Sequence, residues 1–272
     1  MAEPSAAADL SKIDTSVAHP ARIYDYWLGG KDNFAADREA GELVIASRPG
    51  LRESVRANRA FLGRVVALLA GELGIRQFLD IGTGIPSADN THEVAQRVAP
   101  DARVVYTDND PIVLAHARAL LKSSTLGATA YLDIDLRDTD ELLARAAETL
   151  DFGQPIAVML LGVLHLISDE EDPWGLVARL MDAVPSGSYL VITHPASDLL
   201  PETQGEASRR YNQNVATHQT LRSHDQVARF FDGLEVLEPG LVQWHLWRPE
   251  PQDAAPGDFK SGHCGVARKP DV

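Results

Sequence analysis

An acid and two spaced glycines close an apolar run in Phe78-Leu79-Asp80-Ile81-Gly82-Thr83-Gly84-Ile85-Pro86. Glycines at 82 and 84 let the backbone approach a ligand with no Cβ in the way. Turns at the carboxyl ends of strands are also where open α/β sheets bind ligands. Alone, a GxG is as readily an ordinary strand-to-helix turn. A second acid shifts that balance, because Val104-Val105-Tyr106-Thr107-Asp108 ends the next apolar run, 24 residues after Gly84. A carboxylate there accepts both ribose hydroxyls and repels a 2′-phosphate, so an unphosphorylated nucleoside is expected. Its bonds are expected to go to that ribose rather than to protein.

A dinucleotide site competes, since it uses the same turn and an acid about 20 residues onward. Ser87 replaces its third glycine, Pro86 lacks an amide donor, and Asp80 sets a negative charge beside the turn. Each weakens a phosphate cradle at the helix N-terminus. A cofactor with a cationic amino group and a sulfonium suits Asp80 better than one with two phosphates. An NAD-dependent oxidoreductase remains the alternative enzyme.

Other side chains offer chemistry with less support from spacing. His165, after the run ending at Leu161, has the ordinary pKa of a general base, although a packed or capping histidine reads equally well. His194 makes a weaker form of the same claim, and His92 is assigned with Asn90 to a helix start. Lys31, Asp32 and Asn33 follow Gly29-Gly30 and read either as a loop closing over a cofactor or as a solvated turn between helices. Tyr24, Tyr26 and Trp27 wall a pocket or fill core, core being preferred. Arg56, Asn58 and Arg59 suit a cofactor carboxylate, with a solvated helix face preferred. No HExxH pair, GxSxG elbow or P-loop occurs, so no metal, hydrolase or kinase chemistry is expected.

The elements that must position these groups change texture near Gln77. From Ala21 to Leu73 the pattern is helical, ending in an amphipathic run from Leu51. Beyond it, apolar runs at 78–81, 104–107, 130–132, 156–161 and 189–193 alternate with helical stretches at 90–98, 111–121, 139–150 and 173–183. That alternation predicts a parallel sheet with crossover helices. Further helices are expected near 202–217 and 224–231, further strands at 234–237 and 265–268, and a loop at the Pro-rich stretch 249–256.

Composition bounds the partners. A net charge of −14 with no basic cluster opposes binding to phosphate backbones, so nucleic acid is not expected. The single cysteine, Cys264, admits no internal disulfide and fits a reducing, cytoplasmic interior. The first 18 residues read as a mobile tail without a secretory signal's apolar core, and the longest apolar run, Ile156 to Ile167, is about half a membrane span. No membrane association is expected.

The DxGxG turn, the strand-end acid and the later acidic strand end together resemble the class I S-adenosylmethionine-dependent methyltransferases, over roughly residues 77–193. The resemblance implies a Rossmann-like, seven-stranded, mostly parallel α/β sheet with helices on both faces. It also implies S-adenosyl-L-methionine as cofactor. The Gly82-Thr83-Gly84 backbone would lie against its methionine part, beside Asp80. Asp108 with Asn109 would hold ribose, and Asp135 with Leu136 would flank adenine. Leu160 to His165, with Leu161 at the cofactor, would pass beside the transferable methyl. A narrower resemblance lies upstream: His19-Pro20-Ala21-Arg22-Ile23-Tyr24-Asp25-Tyr26-Trp27-Leu28-Gly29-Gly30-Lys31-Asp32-Asn33-Phe34 is similar to the opening of one bacterial S-adenosyl methyltransferase family, as is the helix start from Asn90 to Gln96. The expected organisation is a tail over 1–18, a helical cap over 19–74 and a cofactor-binding core over 75–272, with Lys31 and Asn33 reaching the cofactor. A small-molecule acceptor is expected. A non-catalytic, cofactor-binding sensor or partner subunit is the third reading, and the sequence implies no oligomeric state.

Overall fold

The computed structural model describes residues 14–113, 115, 124–250, 260 and 262–271. Five strands, β1 (Gln77–Ile81), β2 (Arg103–Asp108), β3 (Ala128–Asp133), β4 (Ala157–Leu161) and β5 (Tyr189–His194), run parallel. β8 (His263–Arg268) pairs antiparallel with β5. The order is β3-β2-β1-β4-β5-β8-β6, where β6 (Glu235–Val236) and β7 (Val242–Gln243) are two-residue strands beside β8. The seven-stranded path agrees with expectation. β7 was not foreseen, because two residues show no alternation to read.

Because β2 follows β1 on one side and β4 lies on the other, the chain reverses its direction of winding at β1. Such a switch point opens a crevice above the strands' carboxyl ends. Alternating side chains supply two cores. Leu79, Ile81, Val158 and Leu160 face α5 (Thr139–Ala146) and α6 (Pro173–Ala183), while Phe78, Val104 and Met159 face the later turns of α3 (Leu51–Gly71) and α4 (Thr91–Val98). Burial on both faces explains why the strands read as continuous apolar runs.

A third apolar cluster lies apart from the sheet. It joins Ile23 of α1 (Pro20–Leu28), Val44 of α2 (Ala35–Ser47), Leu51 and Val55 at the start of α3, and Ala207 and Tyr211 of α7 (Pro201–Asn214). α7 follows β5 in sequence yet packs against α2. A short helix, α8 (His224–Ala228), then leads back to the sheet. α1, α6 and α7 each begin with proline, which the first turn tolerates. Among the described residues no helix is long and apolar enough to cross a membrane. Most of the expected helix at 111–121, the expected loop at 249–256 and residues 1–13 of the expected tail lie outside the described residues.

Candidate active site

Above the switch point, α1, α2, α7 and the start of α3 roof a cleft of about 210 Å3. Asp80, Gly82, Thr83, Gly84, Asp108, Asn109, Asp135, Leu136, Leu161 and His165 all line it. Lys31 and Asn33 are not among the lining residues. Lys31 is exposed, and the buried Asn33 amide donates to Asp25 Oδ2 at 2.8 Å and to the Gly30 carbonyl at 3.1 Å. Arg38 in turn donates to the Asn33 carbonyl and side-chain oxygen. The loop expected to reach the cofactor is thus closed upon itself, and α1 takes its place at the cleft.

Both glycines of the turn have left-handed backbones, φ +70° at Gly82 and +66° at Gly84. A Cβ at Gly82 would lie 2.4 Å from Val163 Cγ2, so the turn after β4 can approach only a glycine. At Gly84 nothing lies within 4 Å, and the requirement is conformational, with an open face toward the cleft. The amides of Gly82 and Thr83 donate to the Thr107 carbonyl, which ties the turn to β2.

Asp80 is buried and accepts from Thr91 Oγ1 at 2.6 Å. Burial pushes its carboxyl up to about 6 against the pull of the Thr91 hydroxyl and the Arg59 charge. Asp108 departs from expectation. Its Oδ2 accepts from the Gly84 amide at 2.8 Å and its Oδ1 from the Asp110 amide at 3.0 Å. The carboxylate therefore clamps the glycine turn to the end of β2, and only its remaining lone pairs face a ribose. Asn109 donates to Asp135 at 2.7 Å, and Arg137 bridges Asp135, Glu171 and the Leu166 carbonyl. Arg137 thereby joins the loop after β3 to the one after β4.

His165 stands in the 3-10 turn after β4, and its Nδ1 is buried without a hydrogen-bond partner. Burial, reinforced by the Arg222 charge, pushes its pKa down to about 4, so the ring is neutral near pH 7. His194 does not line the cleft. Its Nδ1 faces the Pro195 carbonyl at 2.8 Å and must carry the proton, leaving Nε2 to accept from Arg222 at 2.9 Å. That arrangement removes it as a base. Arg222, fully buried, also donates to Asp169 and to the Leu164 and Ile167 carbonyls, and so fixes the turn carrying His165. His92 is a core residue, hydrogen-bonded through its amide and Nδ1 to the Tyr106 hydroxyl.

The roof is docked by a buried charge network that the sequence did not disclose. Asp37 accepts from the His19 and Phe34 amides at 2.9 and 2.8 Å, Arg22 Nε lies 3.6 Å from both Asp37 and Asp110, and His19 Nδ1 lies 2.8 Å from Asp110. Asp110 follows β2 directly, so α1 is pinned to the sheet beside Asp108. Tyr24 and Trp27 line the cleft, whereas Tyr26 points to Glu42 on the outside. Asn58 and Arg59 line it as well, and Arg56 is exposed. Arg48, Gln204, Tyr211 and Trp244 complete the roof side. They come from segments so far apart that no spacing could have grouped them.

These groups fit S-adenosylmethionine. Two carboxylates, Asp80 and Asp108, face the cleft, and the Gly84 face is open. The Ser87 amide donates to Asn90 Oδ1 at 3.1 Å, which leaves no phosphate cradle at the start of α4. Among the described residues no group of three or more His, Cys, Asp or Glu could hold a metal ion. A family model described as S-adenosyl methyltransferase matches residues 6–270. A DUF574 family protein from Streptomyces avermitilis MA-4680 is 45% identical with a TM-score of 0.92, covering 95% of this chain and 100% of its own. A Thermobifida fusca YX protein provisionally classed as a methyltransferase is 40% identical with a TM-score of 0.85, over 100% of both chains. The N-methyltransferase NodS of Bradyrhizobium japonicum WM9, solved with S-adenosylhomocysteine, shares the fold at 13% identity and a TM-score of 0.50, covering 92% of this chain and 100% of its own. No curated protein matches. Matched by that family model over residues 6–270 and sharing its fold with relatives at 45% and 40% identity, the chain belongs to the S-adenosyl methyltransferase family, and its cofactor is S-adenosylmethionine.

Proposed function

We propose that the chain methylates a small molecule held in the roof half of the cleft. The observation that carries this reading is the division of one cleft into two chemistries. The strand-end half is glycine and acid, whereas the roof half is walled by Trp27, Val44, Leu51, Tyr211 and Trp244. A roof of four helices, α1, α2, α7 and the start of α3, suits an enclosed small acceptor. In domain terms, residues 19–74 form a cap, which α7 joins, over the core of 75–272; the expected tail fails over 14–18, where Ala18 is buried in a bridge to Val215 and Arg22 donates to the Asp14 and Val17 carbonyls. The single cysteine, Cys264, is buried, which suits a reducing cytoplasm.

When bound, S-adenosylmethionine supplies an activated methyl on a sulfonium leaving group. Asp80, ionised at neutral pH in a dry wall, favours the cationic end of the cofactor. The free lone pairs of Asp108 accept from ribose hydroxyls, and Asn109, Asp135 and Leu136 border the base. Leu161 and the turn after it pass beside the methyl. His165 lines the cleft as a neutral ring, and the burial and Arg222 charge that hold its pKa near 4 disfavour the imidazolium a general base must become, so the proton of a protonated acceptor is better lost to solvent than to this ring. The helical roof excludes water and holds acceptor and methyl in line, which is the larger part of the catalysis such a transfer needs.

The test is thermal unfolding with S-adenosylhomocysteine, NAD or NADP. S-adenosylhomocysteine at a hundredfold excess over its Kd should stabilise the fold by about 2.7 kcal/mol. The nicotinamide dinucleotides should leave Tm unchanged, and stabilisation by NAD alone would overturn the assignment. Cofactor binding with no methyl transfer to any member of a broad acceptor library would favour a sensor or partner subunit.

A further inference from the structure

Arg48 caps the C-terminal end of α2 and lines the roof half of the cleft. It is 7% exposed, yet no carboxylate pairs with it among the described residues. Its Nη2 donates to Ser54 Oγ at 3.3 Å and to the Lys260 carbonyl at 3.1 Å. Gln204, from α7, is 3% exposed and lines the same half, and its buried Nε2 has no hydrogen-bond partner. A buried cation and a buried amide donor are both costly when unpaired. Here two helices bring these groups to the lining of one cleft, with no carboxylate on Arg48 among the described residues.

The cofactor's own carboxylate does not account for Arg48. Arg59 also lines the cleft, and it is Arg59 whose charge bears on Asp80, beside the glycine turn. Arg48 is thus left to the acceptor. A planar acceptor-only group matches a guanidinium bidentately and leaves lone pairs for an amide donor. The aromatic walls, Trp27, Tyr211 and Trp244, suit an apolar body behind that group. Deepening the small-molecule reading above, on which it rests, we propose that the methyl acceptor is an aromatic carboxylic acid whose carboxylate pairs with Arg48 and accepts from Gln204, while a separate hydroxyl or amine on the same molecule bonds to the methyl as the sulfonium S–CH3 bond breaks and gives up its proton. Burial draws the Arg48 guanidinium down to about 10, so the group stays charged at neutral pH.

The experiment loads the full chain with S-adenosylhomocysteine and titrates benzoate, phenylacetate and 3-phenylpropionate against their primary amides by calorimetry. At least one acid should bind about tenfold or more tighter than its amide, the worth of a hydrogen-bonded charge. Arg48→Met should lose that preference while S-adenosylhomocysteine affinity stays within about twofold, and Arg48→Lys should recover part of it. Equal binding of acids and amides would overturn the proposal, as would an Arg48→Met chain that still prefers acids. A large loss of S-adenosylhomocysteine affinity in Arg48→Met would place the residue at the cofactor and overturn it too. If Arg48→Met does not fold, the comparison of acids with amides on the unmodified chain decides. Failure of S-adenosylhomocysteine to bind the unmodified chain would sink the underlying reading, whereas cofactor binding without any acid binding would sink this inference alone.

Discussion

Asp80 sits where a carboxylate is least at ease, at the buried end of β1 with one hydroxyl donor for company. Its raised pKa has a definite sign in stability. The folded chain holds this proton up to about 6 and the unfolded chain only to 3.8, so stability falls as pH rises through that window. Above it the penalty is complete, on the order of 2 to 3 kcal/mol. Asp80→Asn, which can still accept from Thr91, should therefore melt higher than the parent without cofactor at pH 7.5, with the gap closing toward pH 4.5. The same change should weaken S-adenosylhomocysteine binding by calorimetry, since the cationic end loses its counter-charge. A variant that melts lower at pH 7.5 would contradict this account. At this scale the sequence was informative because the turn is local: residues 80–84 are joined by covalent geometry. Asp108 shows the limit, since its bond to the Gly84 amide depends on the pairing of β1 with β2, which spacing does not display.

Among the elements, α1 depends most on contacts that sequence periodicity cannot show. Its apolar face was legible, but its docking rests on Asp37, which is fully buried at the start of α2 and accepts two amides beside Arg22. Removing one member of such a buried network leaves a charge and two donors unanswered. Asp37→Ala should cost about 3 kcal/mol or more, read as a lower urea midpoint. It should also weaken S-adenosylhomocysteine binding, because α1 carries Tyr24 and Trp27 to the cleft. Lys31→Ala, on the exposed loop, should change neither quantity. Unchanged stability and affinity in Asp37→Ala would show that apolar packing alone docks the helix. α7 teaches the same lesson. Its span was foreseen within a few residues, but an amphipathic pattern names a buried face and not the partner that covers it.

For the whole molecule, acid is the revealing variable. An unfolded histidine takes its proton near pH 6.5, whereas His165 in the fold does so only near 4 and His194 is held well below its ordinary value by burial. Between pH 7 and 5 the unfolded chain binds more protons, and stability falls as pH falls. For His165 alone the loss is about 1 to 2 kcal/mol by pH 5, His194 adds to it, and Asp80 offsets part. Tm should thus drop from pH 7 to pH 5, and less steeply in His165→Asn. A flat or rising Tm would mean that these rings already share protons with the fold at pH 7. What the sequence determined by itself is the alternation of apolar runs with helices, the sheet that follows from it, and the acid and glycine turns at strand ends. All of these are encoded over a few neighbouring residues by backbone geometry and burial. Only the tertiary structure decided which helices roof the cleft, which carboxylates serve the fold, and that Arg48 and Gln204 face one chamber. Those facts arise from packing between separate segments, and packing selects partners by shape and charge that no local pattern records.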